Sequence, residues 1–200
     1  LVKTLRQHFP NITLSVDANS AYEFERDKEL FQQLDEYNLL MIEQPLEAGD
    51  LIDHAKLQKL IKTRICLDES ITKLREAQQA IEIDACRIIN IKLGRVGGHS
   101  EAKAIQDFTA KQNIPVWCGG MLEAGIGRAH NIAMSTLAGF TLPGDVSASA
   151  RYWAEDIIEP EVFVSPNGTI KAPTTAGIGY EVKTDLIERL SVRREEISLG

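Results

Sequence analysis

Short apolar runs alternate with segments of helical periodicity along this 200-residue chain. Most of the runs are rich in β-branched residues and nearly continuously apolar, which is typical of parallel strands covered on both faces. Apolar residues between the runs recur at intervals of three and four, as they do on amphipathic helices. The predicted strands are residues 12–16, 39–42, 65–67, 87–91, 115–118 and 140–143. The predicted helices are residues 22–37, 50–63, 72–83, 98–113 and 125–138, with Asp50 and Thr72 as N-caps.

Ionisable residues end four consecutive predicted strands. They are Asp17, Glu43, Asp68 and Lys92, at intervals of 26, 25 and 24 residues. Alternating strands and helices predict parallel βα units, either in a doubly wound sheet or in a (β/α)8 barrel. An open sheet gathers ligands at one switch point, whereas a barrel gathers the carboxyl ends of all its strands around one site. The repeated ionisable residue therefore favours the barrel.

The predicted fold class is α/β, with the C-terminal six βα units of a (β/α)8 barrel in residues 1–148. Two further units are expected to precede Leu1. Residues 149–200 do not continue the repeat and contain turn signals at Asn167-Gly168 and Gly177-Ile178-Gly179. They predict a small appendage of short strands and turns.

Composition excludes several classes of partner. The chain has 22 basic and 29 acidic residues and a net charge of −7. Such a chain repels phosphate backbones and anionic lipids, so we expect neither a nucleic acid nor a membrane as partner. The first residues lack the hydrophobic region of a signal peptide. Three cysteines without a CxxC motif predict no disulfide framework or zinc site, and a cytoplasmic location is expected.

The three acidic strand ends have two interpretations. Asp17, Glu43 and Asp68 would repel one another if they shared a pocket, and a divalent cation removes that repulsion. Oxygen-only ligands favour Mg²⁺, with Mn²⁺ as a substitute. Each carboxylate taken alone is equally consistent with a helix cap or a surface ion pair. Their common phase in the repeat favours the metal site.

Lys92 would enter a cavity beside that cation. The cation and partial burial favour its neutral amine, so it is a candidate general base, with a structural ion pair as the alternative. Arg95 either binds a substrate carboxylate or faces solvent. Gly119 and Gly120 allow a ligand to approach the backbone or form a tight turn. The four histidines show no ligand spacing and are expected at the surface or in packing.

The motifs Asp17-Ala18-Asn19, Glu43-Gln44-Pro45 and Asp68-Glu69-Ser70, together with Lys92, resemble the enolase superfamily and its muconate-lactonizing-enzyme subgroup. Residues 92–98, 119–131 and 142–149 are similar to o-succinylbenzoate synthases and N-succinylamino acid racemases. The resemblance implies that residues 149–200 return to a capping domain. The family's Lys-x-Lys motif does not occur before Asp17, so we expect a C-terminal fragment.

The resemblance also implies a mechanism. Mg²⁺ on Asp17, Glu43 and Asp68 would bind the substrate carboxylate, and the adjacent carbon would lose its proton to give an ene-diolate. Loss of a β-hydroxyl would then give o-succinylbenzoate in menaquinone biosynthesis, with Lys92 stabilising the intermediate. In racemisation, Lys92 and a lysine from the missing motif exchange the roles of base and acid. Epimerisation of dipeptides is the third activity.

The remaining site residues follow from the same resemblance. Asn19 and Glu69 flank the ligands and are expected to orient them, and Asn19 and Arg95 are also predicted to bind substrate. Gly120 and Met121 would line its succinyl end. The implied partner is a small-molecule carboxylate, and the full-length form is expected to be a homo-oligomer.

Two alternatives from other classes stay open. One is a Schiff-base aldolase on the same barrel, with Lys92 as nucleophile and Gly119-Gly120 binding a phosphate. It gives the three carboxylates no role. The other is an inactive fragment that lacks the upstream lysine motif.

Overall fold

The structure is a computed structural model that describes residues 1–197. The chain forms two compact units, Leu1–Gly119 with Leu137–Gly144 and Gly120–Thr136 with Asp145–Gly200. This division does not fall at the predicted boundary between residues 148 and 149, because residues 120–136 group with the C-terminal segment. The boundary of the barrel itself stays a prediction.

A parallel sheet forms the centre of the first unit. Its strands follow chain order, and each pairs with its sequence neighbour. They are β1 (Val16–Asp17), β2 (Ile42–Glu43), β3 (Ile65–Leu67), β4 (Ile88–Ile91) and β5 (Val116–Cys118). The predicted α/β class with a parallel sheet is confirmed.

The sixth predicted strand, residues 140–143, is present only as a parallel bridge between Phe140 and Val116. The amides of Thr141 and Leu142 both donate to the Val116 carbonyl, at 3.1 and 3.3 Å. Pro143 follows and has no amide hydrogen, so the ladder does not continue through it. The apolar run was therefore identified correctly, but only one residue pairs in the described structure.

Helices follow the strands close to the predicted positions. In the first unit they are α1 (Val2–His8), α2 (Phe24–Leu34), α3 (Leu51–Leu60), α4 (Leu74–Glu82), α5 (Leu93–Val96) and α6 (His99–Lys111). In the second unit they are α7 (Gly125–Ser135) and α8 (Thr184–Leu190). The sequence pattern did not predict α1, α5 and α8; α1 buries none of its residues. Among residues 1–197, no helix combines the length and apolarity needed to cross a membrane.

The two predicted N-caps have different outcomes. Asp50 caps α3, because its Oδ1 accepts a hydrogen bond from the Asp53 amide at 3.0 Å. Thr72 does not cap α4, which starts one residue later than expected, after Lys73. The amide and hydroxyl of Thr72 instead donate to Glu76 Oε2, at 2.7 and 2.8 Å.

Apolar side chains cover both faces of the sheet in the part of each strand that precedes its carboxyl end. Met41, Cys66, Ile88 and Trp117 form a buried cluster on one face. Since side chains alternate along a strand, the neighbouring residues lie on the other face. Those neighbours are also buried: Ile42, Ile65, Leu67, Ile89, Ile91 and Val116. Burial on both faces explains why the strands read as continuous apolar runs.

A buried ion pair joins the segments of the second unit. Arg128 on α7 donates from Nη1 to Asp156 Oδ2 at 2.8 Å, and both side chains are fully buried. Ser149 Oγ donates to the same oxygen at 2.6 Å, and Asp156 Oδ1 accepts from the Gly125 amide at 2.7 Å. The unit also contains the antiparallel pair β6 (Ile158–Glu159) and β7 (Glu181–Val182). Short strands and turns were predicted for residues 149–200, and β6 and β7 are such strands.

Candidate metal and catalytic site

Sheet register places the predicted ionisable residues on one face at one edge. Asp17 lies opposite Glu43, and Glu43 lies opposite Cys66. Asp68 comes two residues after Cys66 and therefore returns to the same face. Lys92 comes directly after β4. Because the strands are parallel, their carboxyl ends meet at one edge, as the sequence predicted.

Asp68 is the centre of the charged contacts. Its Oδ2 accepts a hydrogen bond from Lys92 Nζ at 2.8 Å, and its Oδ1 accepts one from Arg95 Nη1. The Asp68 side chain is fully buried, while those of Lys92 and Arg95 are 14% and 15% exposed. Arg95 therefore does not face solvent, which excludes one of its two interpretations. Its contact with a substrate carboxylate stays a prediction.

The Arg95 guanidinium also lies within the field of the other two carboxylates. Burial lowers the pKa of Arg95 below its ordinary value, while the charges of Glu43 and Asp17 act in the opposite direction. Three carboxylates and two cationic side chains thus share one edge of the sheet. In this arrangement the cations of the chain itself offset the repulsion that led us to expect a metal ion.

Asn90 is a site residue that the sequence analysis missed. Its Nδ2 donates to Glu43 Oε1 at 2.8 Å, and its side chain is fully buried. Its Oδ1 has no hydrogen-bond partner among residues 1–197, so this oxygen is available to a ligand or water. The signal was present: Asn90 is a polar residue inside an apolar strand, two positions before Lys92 and therefore on its face.

Asn19 contacts Asp17, and Glu69 contacts Asn19. Asp17 accepts hydrogen bonds from the amide and the side-chain nitrogen of Asn19, at 2.9 and 2.8 Å. Asn19 Nδ2 also contacts Glu69 Oε1 at 3.5 Å. Glu69 Oε2 is buried and has no hydrogen-bond partner in the part of the chain that the structure describes. Their roles in orienting ligands and binding substrate stay predictions.

Convergence of the three carboxylates around one ion is not seen. Within residues 1–197, no group of three or more His, Cys, Asp or Glu side chains is placed to hold a metal ion. The contacts explain why: Asp68 pairs with Lys92 and Arg95, and Asn90 binds Glu43. The donor set itself, three carboxylates and the unpartnered amide oxygen of Asn90, fits a hard divalent cation. The assignment of the ligands stays a prediction.

Gly119 has a steric reason to be glycine. A Cβ atom there would lie 2.4 Å from Asn90 Oδ1 and 2.6 Å from Lys92 Cε. Its amide continues the sheet by donating to the Ile91 carbonyl at 3.3 Å. The missing side chain therefore makes room for two polar residues of the site. The predicted approach of a ligand to the Gly119 backbone stays a prediction, as does the tight turn.

Gly120 and Met121 belong to the second compact unit. The Gly120 amide donates to Asp145 Oδ1, and the Met121 amide donates to Glu123 Oε2, both at 2.5 Å. The Met121 side chain is half exposed. Their predicted contacts with the succinyl end of a substrate stay predictions.

The cysteines and the buried histidine play no visible part in the site. Cys66, Cys86 and Cys118 are buried and form no disulfide within the described residues. Burial raises the pKa of the Cys66 thiol well above its ordinary value and that of Cys86 to about 12. His54 is buried, and its Nε2 accepts from the Leu46 amide at 3.3 Å, so it is a packing residue as expected.

Comparison with known proteins places this geometry in a family. Residues 1–186 match the model of the family described as enolase C-terminal domain-like. The chain belongs to this family. It is 57% identical over 189 residues to an o-succinylbenzoate synthase of Geobacillus kaustophilus, covering 94% of this chain and 50% of that protein. It is 47% identical over 198 residues to an N-succinylamino acid racemase of Thermus thermophilus, covering 99% of this chain and 53% of that protein.

Solved structures agree with the family's fold. A member of the enolase superfamily from Listeria innocua matches with a TM-score of 0.90 and 50% identity, over 94% of this chain and 50% of its own. A dipeptide epimerase from Cytophaga hutchinsonii, solved with Mg and a dipeptide, matches with a TM-score of 0.87 and 25% identity, over 95% and 52%. The chain spans about half the length of the curated relatives it matches. The predicted membership of the enolase superfamily is confirmed.

Proposed function

We propose that this chain carries the metal ligands and one catalytic lysine of a Mg²⁺-dependent enzyme that removes a proton from the carbon next to a carboxylate. The reaction proposed first is dehydration to o-succinylbenzoate in menaquinone biosynthesis. The observation that carries the proposal is the placement of Lys92 beside Asp68, on the edge where Glu43 and Asp17 also end. The similarity to an o-succinylbenzoate synthase supports the choice of product.

Asp17, Glu43 and Asp68 are the residues that would hold the metal ion. The ion would supply positive charge beside the substrate carboxylate as that group gains negative charge, and electrostatic stabilisation of this kind is usually the largest single contribution to catalysis. Asn90 keeps the Glu43 carboxylate in place through its 2.8 Å hydrogen bond. The Mg-bound dipeptide epimerase supports the choice of ion.

Lys92 is the catalytic side chain of this chain, and its role would differ between dehydration and racemisation. Its amine lies at the carboxyl edge of β4, and the partial burial of the side chain limits its contact with bulk water. In dehydration, the Lys92 ammonium would stabilise the added negative charge of the ene-diolate, and a second lysine would take the proton. In racemisation, Lys92 Nζ would itself take or return the proton.

Racemisation of N-succinylamino acids is the second candidate. The similarity to an N-succinylamino acid racemase favours it, and both reactions begin with the same proton abstraction. Epimerisation of dipeptides is a third use of the same site. A cytoplasmic location and a homo-oligomeric state remain predictions from the sequence.

The test is an assay of the full natural protein with both substrates. We expect formation of o-succinylbenzoate that stops when the divalent cation is chelated and resumes when Mg²⁺ is restored. Racemisation without dehydration would replace the first proposal by the second. Activity that survives chelation, together with trapping of Lys92 by borohydride, would contradict both and favour the aldolase.

A further inference from the structure

Gln44 follows the predicted ligand Glu43 directly, yet it has no role in the chemistry described above. Its side chain is fully buried. Its backbone φ of +33° lies in the left-handed region, which is uncommon for a residue other than glycine. A strained and buried polar residue beside a candidate site therefore needs a physical explanation.

The Gln44 side chain uses its full hydrogen-bonding capacity across two strand ends. Its Oε1 accepts from the amides of Asp68 and Ser70, at 2.9 and 3.2 Å. Its Nε2 donates to Ser70 Oγ at 2.7 Å and to the Leu46 carbonyl at 3.1 Å. A side-chain amide has two donors and two acceptor positions, so none is left for substrate or solvent. The bond to the Asp68 amide fixes the backbone from which that carboxylate extends.

The Gln44 backbone adds the third strand end. Its amide donates to the Cys66 carbonyl at 2.8 Å, which continues the pairing of β2 with β3. Its carbonyl accepts from the Ser20 amide at 2.8 Å, three residues after Asp17. One residue thus connects the segments that carry Asp17, Glu43 and Asp68.

A second buried glutamine in the same unit provides a control. Its loss should affect the stability of the protein without affecting the position of a predicted metal ligand. Gln58 is also buried, and its Nε2 donates to the carbonyls of Ile61 and Thr63, at 3.3 and 3.1 Å. Its Oε1 accepts from the Ile65 amide at 2.8 Å. Gln58 therefore makes the same kind of network at the start of β3, whereas Gln44 makes it at the end of β3. Only Gln44 contacts a predicted ligand.

We propose that Gln44 is a positioning residue for the metal site, which sets the place of the Asp68 carboxylate relative to that of Glu43. This inference rests on the proposed function, because it assumes that these carboxylates bind the ion. Mg²⁺ requires near-ideal octahedral geometry, so a small displacement of one ligand weakens its binding. Loss of groups that orient ligands typically costs about 10- to 100-fold in metal affinity.

The experiment compares the unaltered full natural protein with Gln44→Met and Gln58→Met. Methionine keeps the approximate length of the side chain, removes every hydrogen bond that the side chain makes and leaves those of the backbone. Mn²⁺ alone is titrated into each protein by calorimetry, at a temperature where circular dichroism shows all three folded. We expect both variants to have a lower melting temperature, since each leaves buried polar groups without partners. We expect the dissociation constant for Mn²⁺ to rise about 10- to 100-fold in Gln44→Met and to stay unchanged in Gln58→Met.

Four results would overturn the inference, and one of them also concerns the proposed function. Equal Mn²⁺ affinity in Gln44→Met and the unaltered protein would contradict the positioning role of Gln44 and leave the proposed function standing. An equal loss of Mn²⁺ affinity in Gln44→Met and Gln58→Met would show that lower protein stability, rather than the position of Asp68, weakens metal binding. Absence of Mn²⁺ binding by the unaltered protein would contradict the proposed function and the inference together. If Gln44→Met does not fold, Gln44→Asn shortens the side chain by one methylene and withdraws its oxygen from the Asp68 amide, and unchanged Mn²⁺ affinity in that variant overturns the inference.

Discussion

Lys92 Nζ lies 2.8 Å from Oδ2 of Asp68, across the carboxyl ends of the neighbouring strands β4 and β3. The other oxygen of Asp68 accepts from Arg95, so one buried carboxylate is shared between two cationic side chains. A third cation, the proposed metal ion, would have to compete for the same oxygens. This competition makes Asp68 the most informative position for substitution.

We expect Asp68→Asn to abolish metal-dependent activity while the barrel stays folded. Asparagine keeps the shape of the side chain, and its oxygen still accepts a hydrogen bond from Lys92, but the negative charge that a divalent cation needs is lost. Activity and Mn²⁺ titration measure the effect, and circular dichroism reports the fold. Asp84→Asn, at an exposed pair with Arg87, is the control. Full activity in Asp68→Asn would show that the ligand assignment is wrong.

We expect Lys92→Met to lower kcat by about 10²- to 10³-fold, the usual cost of removing one group that stabilises charge in the transition state. Mn²⁺ binding should not weaken, because the substitution removes a positive charge from beside Asp68. Steady-state kinetics and calorimetry separate the two effects. Lys56→Met, at an exposed pair with Asp53, is the matched control. Retained kcat in Lys92→Met would exclude Lys92 as a catalytic group.

We expect Gly119→Ala to reduce activity strongly. The added Cβ would lie within 2.6 Å of both Asn90 Oδ1 and Lys92 Cε, so at least one of these side chains must move. Gly94→Ala is the control, because nothing lies within 4 Å of a Cβ at that position. Kinetics of the two variants at saturating Mg²⁺ make the comparison. Equal activities would mean that the positions of Lys92 and Asn90 do not matter to the reaction.

We expect Asp156→Ala to lower the free energy of unfolding by about 3–5 kcal/mol, because it leaves Arg128 as a buried charge without its partner. The exposed pair of Arg87 and Asp84 provides the comparison, since loss of such a pair costs at most about 1 kcal/mol. Urea denaturation of Asp156→Ala and Arg87→Ala measures both values. Similar losses in the two variants would contradict the role of burial.

We expect stability to fall as pH falls below about 6.5, the ordinary pKa of histidine, in part through His54. Burial lowers the pKa of His54, so the unfolded chain binds a proton that the folded chain resists. Its stabilising contribution is therefore complete above pH 6.5 and is lost as pH falls toward the lowered pKa. Protonation would also end the acceptance of the Leu46 amide by Nε2.

Urea denaturation at pH 7.5 and pH 5.5 tests the His54 prediction. The pH dependence should be smaller in His54→Gln than in the unaltered protein. His8→Gln makes the same substitution at an exposed position and is the matched control. A His54→Gln protein with the full pH dependence would assign it to other groups.

Several elements were predictable because their signals are local. Ile65–Leu67 was predicted with the observed bounds, since a run of apolar residues between polar segments has few alternatives when both faces are buried. The phase of Asp17, Glu43 and Asp68 followed from strand period and parallel order, which are properties of the chain. Phe140 was harder, because whether a run pairs over one residue or four depends on its neighbour and on Pro143.

Contacts within the site were less predictable. The sequence did not decide whether Arg95 binds a substrate carboxylate or faces solvent. The structure pairs it with Asp68, a residue 27 positions away. Asn90 and Gln44 were passed over, although both are buried and bind groups on neighbouring strands. A polar residue reveals its partners only when the strands are placed side by side, because those partners are distant in the chain.

The sequence alone therefore determined the order of the five paired strands and of the helices between them, the face and edge on which the acidic residues and Lys92 would lie, and the family. Periodicity and motif spacing suffice for these, since both act over a few residues or repeat along the chain. Only the tertiary structure decided that Lys92 and Arg95 share Asp68, that Asn90 binds Glu43, and that Gly119 makes room for them. Those contacts depend on distances between separate strands, and side-chain packing rather than local propensity determines such distances.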